Sequence, residues 1–141
     1  DLNLVKKTFK INFFSIVKIV KELSKISKKI IIISSIGRYH GMPYNSAYNS
    51  SKSALSNWIE SLNLENSDMN IIVYEPGLFL SNMTKKSNSL FFSNVNDIAQ
   101  NIFKLKNKKI YRYPFYFYLL SRGLEFCPFK IKKFIINLLN K

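Results

Sequence analysis

Apolar residues at Val5, Phe9, Phe13, Ile16, Val17, Val20 and Leu23 recur every three or four positions between Leu4 and Ser27, a spacing that predicts one long amphipathic helix. Lys28 and Lys29 then lead into Ile30-Ile31-Ile32-Ile33-Ser34, whose unbroken β-branched run predicts a parallel strand buried on both faces. After a loop over 37–45, helical spacing returns from about Ser46 to Leu64, with Ala47, Ala54, Leu55, Trp58, Ile59 and Leu62 on the inward side. Met69 to Tyr74 reads as a second buried strand. Asn96 to about Leu105 reads as a shorter helix capped by Asn94 or Asn96, and Ile110 to Tyr113 as a short strand stopped by Pro114. Helices and strands in alternation predict βαβ units, hence an α/β fold with a doubly wound parallel sheet. No internal repeat is visible.

The residues with chemical potential cluster at the ends of these apolar runs. Ser34 and Ser35 close the first strand. Tyr48 and Lys52 stand four residues apart at the head of the second helix, so they share a face and the ammonium can sit beside the phenol oxygen. A free phenol has a pKa of about 10, and lowering it by ~3 would require roughly 4 kcal/mol of preferential stabilisation of the phenolate, which a close cation can supply. Ser35 lies where open α/β sheets bind ligands, at the carboxyl end of its strand. The second strand ends in Glu75-Pro76-Gly77, with Phe79 and Ser81 just beyond.

Taken in order, Ile-Ser-Ser-Ile-Gly-Arg (33–38), Tyr-Asn-Ser-Ser-Lys-Ser-Ala-Leu (48–55) and Pro-Gly-Leu-Phe-Leu-Ser-Asn-Met (76–83) resemble the catalytic half of a short-chain dehydrogenase/reductase. The resemblance covers residues 1 to about 115 and implies a Rossmann-like sheet lacking its amino-terminal strands. It further implies hydride transfer between a nicotinamide cofactor, NAD or NADP, and a small-molecule secondary alcohol or ketone. Tyr48 would be the general acid/base. Lys52 would support the phenolate and bond the nicotinamide ribose, and Ser35 would hold and polarise the substrate oxygen, which makes Ser35 and Tyr48 the substrate-binding pair. Asn12 matches the helix asparagine that supports a water-linked proton relay. Pro76, Gly77, Phe79 and Ser81 fall in the loop that lies against the nicotinamide; the family usually carries threonine at the last of these, so Ser81 keeps the hydroxyl and loses the methyl. The short Ser-to-Tyr spacing disfavours a nucleotide-sugar epimerase or dehydratase of the extended branch.

The glycines change the picture. Gly37, Gly41, Gly77 and Gly123 are too scattered to cradle a pyrophosphate, and the chain begins at Asp1. The expectation is therefore the carboxyl-terminal part of a longer protein, inactive by itself; the alternative is a non-catalytic binding or structural module derived from the same fold. With 141 residues, 47% of them hydrophobic, the chain is nonetheless long enough for a core.

A formal charge of +14 raises the question of nucleic acid or membrane partners. The lysines are dispersed among Ile, Asn and Phe, as AT-rich coding produces. With no zinc spacing, RNA-binding aromatic motif or basic region feeding heptads, a nucleic-acid partner finds no support. Neither His40 nor Cys127 has companions for a metal site; the single cysteine excludes an intramolecular disulfide and fits a reducing, cytoplasmic location. No run approaches the ~20 apolar residues that cross a bilayer.

Two segments lie outside the resemblance's core. Thr84 to Ser93 occupies the place of a mobile substrate lid in the family. The expected division is a catalytic half over 1–114 and an aromatic, basic tail over 115–141, where Ile131, Phe134, Ile135, Leu138 and Leu139 share a helical face flanked by Lys130, Lys132 and Lys133. Ordinary packing, a peripheral membrane contact, a homo-oligomer contact and a cap over the substrate pocket are all open for that tail.

Overall fold

A computed structural model describes residues 1–27, 29–65, 68–79, 93–105 and 109–139, with Leu138 and Leu139 described for their backbone alone. In chain order the elements are α1 (Leu2–Phe9), a π-turn (Lys10–Phe14), α2 (Ser15–Leu23), β1 (Lys29–Ile33), a 3₁₀ turn (Ile36–Tyr39), α3 (Ser46–Glu65), β2 (Asn70–Pro76), α4 (Val95–Phe103), β3 (Ile110–Tyr113), α5 (Phe115–Phe126) and α6 (Phe129–Leu139). The three strands form one parallel sheet in the order β1-β2-β3, with Ile30 opposite Ile71 and Tyr74 opposite Tyr111. Each strand-to-strand connection carries a helix, α3 after β1 and α4 after β2, as the alternation of patterns predicts.

Strand alternation divides the apolar residues between two layers. On one face Ile30, Ile32, Ile71 and Val73 pack with Val20 of α2 and with Leu55 and Ile59 of α3; on the other, Ile72 and Tyr74 pack with Ile98 of α4 and with Leu105. Helices thus lie on both faces, and the architecture is a doubly wound, Rossmann-like sheet of three strands.

The predicted double-sided burial holds for β2, whose residues from Ile71 to Pro76 are all buried. It fails for β1, where Ile31 is half-buried and Ile33 is 43% exposed. Among the described residues β1 has a hydrogen-bonded neighbour on one side only, so one edge of the strand meets no further layer. The long amino-terminal helix also departs from expectation. It is a continuous helical run, but of its seven predicted core positions only Val20 is buried; Phe13 and Ile16 are partly covered and Leu23 is exposed. Asn94 caps α4 by accepting from the Asn96 N–H at 2.9 Å, the first of the two expected alternatives.

Candidate active site

Strand alternation also decides which serine faces the site. Ser34 turns into the interior, where its hydroxyl shares a 2.7 Å hydrogen bond with the buried Ser56 hydroxyl of α3. Ser35, one residue on, points the other way. It is the N-cap of the 3₁₀ turn, its Oγ accepting from the Gly37 N–H at 3.1 Å, and it lies near the Tyr48 phenol, whose pKa it acts to lower. Tyr48 stands in the first turn of α3 because Asn45-Ser46 starts that helix just beyond the loop. Lys52 follows one turn later, its Nζ 5.8 Å from the centroid of the Tyr48 ring and donating to the Ile33 carbonyl at 3.0 Å. Ser35, Tyr48 and Lys52 therefore meet at the carboxyl end of β1.

Their electrostatics differ from the expected pairing. Burial pushes the Tyr48 phenol above its usual range, and the nearby Ser35 side chain opposes this only in part. Burial also lowers Lys52, whose half-buried ammonium spends a donor on a backbone carbonyl. The phenol accordingly stays protonated at neutral pH. That is the acid form needed to protonate an oxygen.

Asn12 reaches the site through the helix irregularity. In the π-turn the Lys10 carbonyl accepts from both the Ser15 N–H and, at 2.7 Å, the Ser15 hydroxyl. The wide turn sets Asn12 against α3, where its Nδ2 donates to Ser51 Oγ at 3.1 Å; Ser51, fully buried, donates to the Tyr48 carbonyl at 2.7 Å. Asn12 is thus tied to the backbone of Tyr48. Isolated π-turns are frequent at functional sites.

The loop after β2 completes the cluster. Pro76 is buried as the last residue of β2, two residues beyond the Ile33–Tyr74 pair, and the Gly77 N–H donates to the Tyr113 carbonyl at 2.8 Å. A Cβ on Gly77 would lie 2.6 Å from Cδ2 of Phe117, so close approach of α5 requires glycine here. Phe79 bridges to Ser93. Ser81 and most of the expected lid, residues 80–92, lie outside the described residues.

A family model described as short chain dehydrogenase matches residues 1–90. The chain belongs to the short-chain dehydrogenase family. Among its relatives, an uncharacterized oxidoreductase of Schizosaccharomyces pombe is 35% identical over 82 residues, 55% of this chain and 33% of that protein. A dehydrogenase/reductase SDR family protein 7-like of Dictyostelium discoideum is 29% identical over 85 residues, 57% of this chain and 27% of that protein. The chain thus spans about a third of the length of the curated relatives it matches. A solved short-chain dehydrogenase of Burkholderia cenocepacia in complex with NADP superposes with a TM-score of 0.76 at 16% identity, over 89% of this chain and 56% of that one. It is a likeness of fold.

Beside this cluster lies a network that the hydropathy pattern does not announce. The carboxylate of Glu75, wholly buried in β2, is ion-paired with Arg38 and, at 3.2 Å, with Arg112, and accepts from the Tyr39 hydroxyl at 2.7 Å. Arg112 also donates to that hydroxyl at 3.0 Å and lies over the Tyr118 ring at 4.1 Å, while Arg122 stands 5.6 Å from the Tyr39 ring. The chain has three arginines among 22 basic residues, and all three converge here. Planar guanidinium groups can pair with a buried carboxylate and stack on rings at once, which an ammonium cannot. A charged residue inside an apolar strand, Glu75, was the only available signal. The network ties the turn that follows Ser35 to β2, β3 and α5.

Proposed function

We propose that this chain is the catalytic, nicotinamide-side portion of an NAD(P)-dependent oxidoreductase that interconverts a secondary alcohol and a ketone. The observation that carries the reading is the convergence of Ser35, Tyr48 and Lys52: a hydroxyl near a phenol, with an ammonium one helical turn away. Ser35 holds the substrate oxygen, Tyr48 donates a proton to it during reduction, and Lys52 stabilises the phenolate left behind. In oxidation the same phenolate takes the proton back.

The residues fit the nicotinamide end of a cofactor. Lys52 has three donors and commits one to Ile33, and buried Pro76 and Gly77, with Phe79, follow the carboxyl end of the neighbouring strand β2. Tyr48, Lys52, Pro76, Gly77, Phe79 and Ser81 would hold that end. Bound there, the nicotinamide supplies or accepts the hydride. The scattered glycines offer no turn for the pyrophosphate, so the adenosine end requires chain not present here, and the isolated polypeptide is proposed to be inactive. Asn12 acts by fixing Tyr48 through Ser51. The division into a catalytic half, 1–114, and an appended tail, 115–141, belongs to the same proposal, as do a cytoplasmic location, to which the free Cys127 is suited, and homo-oligomerisation.

The test is isotopic. The complete protein is incubated with NADH or NADPH deuterated at the transferable position and a panel of ketones. Deuterium at the carbinol carbon of a product supports the proposal, and no transfer across both coenzymes and the panel overturns it.

A further inference from the structure

We propose that the outer face of α5, with the start of α6, docks on an anionic lipid surface. Phe115, Tyr116, Leu119, Leu120, Gly123 and Phe126 are all exposed and all uncharged, and at 100° per residue they share one broad stripe of the helix. Phe126 and Phe129 are 83% and 79% exposed, so two phenylalanines stand in solvent on either side of the α5–α6 junction. A contiguous apolar surface of this kind marks an interaction site.

The opposite side of α5 is already occupied. Phe117 and Ser121 are buried, and the Phe117 ring closes over Gly77. The face that the sequence pattern favoured on α6 is divided in the structure. Ile136 is buried and Ile135 half-buried, while Ile131 and Phe134 are exposed. The continuous apolar stripe is that of α5.

Charge selects the occupant. Across the described residues of α5 and α6 the charged groups are Arg122, Lys130, Lys132 and Lys133 against Glu125 alone, and Glu125 is ion-paired with Arg122. Lys130 and Lys133 are exposed beside Phe129 and Phe134. An uncharged aromatic and leucine stripe, followed across the α5–α6 junction by lysines with no ion-pair partner among the described residues, complements a surface with an apolar interior and anionic headgroups. A second copy of this chain, carrying the same excess of lysine, would oppose like charges. The sheet edge left without a partner among the described residues is that of β1, on the far side of β2 from β3 and α5. A strand added there would lie away from this face.

The inference does not depend on the oxidoreductase reading. Flotation of the whole chain with vesicles separates lipid-bound protein from self-associated protein, which sinks. Flotation is expected with phosphatidylcholine vesicles containing phosphatidylserine, weaker flotation with phosphatidylcholine alone, and release at high salt. Lys130→Glu/Lys133→Glu should lower the partition coefficient at least ~25-fold, about fivefold for each basic residue near an anionic surface. Leu119→Glu/Leu120→Glu should lower it more than about tenfold, because both side chains are exposed and their loss leaves the fold intact. Circular dichroism checks that fold, and Leu119→Ser/Leu120→Ser replaces the acidic pair where it disturbs the helix. No flotation of the parent chain, or equal flotation of the variants, overturns the proposal. A leucine variant that dissociates an oligomer with unchanged lipid binding also overturns it, assigning the face to self-contact.

Discussion

Gly77→Ala is a small change with a large local consequence. The residue has no positive φ, so the backbone accepts alanine, and the loss of unfolded-state freedom alone would stabilise the chain by about 0.4–1 kcal/mol. The new methyl would stand 2.6 Å from Phe117 Cδ2, 3.1 Å from its Cγ and 3.2 Å from Pro114 Cδ. Phe117 is buried and cannot swing out, so α5 must shift or its ring must leave a preferred rotamer, an overpacking cost of roughly 1–3 kcal/mol. The steric term wins, with a net loss of about 1–2 kcal/mol. At about 2–4 °C per kcal/mol for a chain of this size, the melting temperature should fall by roughly 2–8 °C. Urea unfolding of the parent, Gly77→Ala, Phe117→Ala and the double variant gives the coupling directly. In the Phe117→Ala background the methyl has room, and Gly77→Ala should be neutral or stabilising. An equal penalty in both backgrounds, or no penalty in the parent, would refute close packing of α5 on this glycine.

The two adjacent serines should separate stability from function. Ser34→Ala leaves the buried Ser56 hydroxyl unpaired and should cost about 1–3 kcal/mol in urea unfolding with little effect on turnover of the complete enzyme, whereas Ser35→Ala should do the reverse. Glu75→Gln leaves Arg38 and Arg112 without their carboxylate and should destabilise by roughly 3–5 kcal/mol, read from the urea midpoint; a loss under about 1 kcal/mol would mean the network is not held in solution. Burial, with a smaller contribution from Tyr113, pushes the Tyr74 phenol up to about 12. Its folded value exceeds the ordinary value of about 10, so the protonated phenol's contribution is complete below about pH 10 and is lost as the pH rises towards 12. Tyr74→Phe, which removes a buried hydroxyl that has no hydrogen-bond partner among the described residues, should flatten that alkaline decline without lowering stability at pH 7.

Much of the fold is legible in the amino-acid order because burial imposes periodicity. Four consecutive isoleucines suit a buried parallel strand, and the three- and four-residue spacing of Leu55, Trp58, Ile59 and Leu62 suits a helix seated on it. Ser35, Tyr48 and Lys52 could be read because their order and spacing follow from one strand end and one helical turn. The π-turn at Asn12 could not: its cause is a single carbonyl, that of Lys10, satisfied from five residues ahead, which leaves the apolar spacing almost unchanged. The shift of Tyr48 was also out of reach. A cation four residues away suggests a lowered phenol, but the outcome depends on how deeply the ring is buried and on Lys52 turning to the Ile33 carbonyl. The Glu75 network joins residues 38, 75, 112 and 118, whose sequence separation conceals a shared location. The exposure of Leu23 and Ile33 shows the opposite limit. Apolar spacing marks which side is able to be buried, and the described layers cover only part of it.

The most direct test of the proposed chemistry compares turnover and coenzyme affinity in two variants of the complete enzyme. Tyr48→Phe removes the proton donor and little else, so turnover should fall by about 10²–10⁴ while calorimetric coenzyme affinity stays close to that of the parent. Lys52→Ala should damage both, since the ammonium serves the phenolate and the ribose. A Tyr48→Phe enzyme that keeps more than about a tenth of the parent rate would contradict the role of Tyr48 as general acid and base.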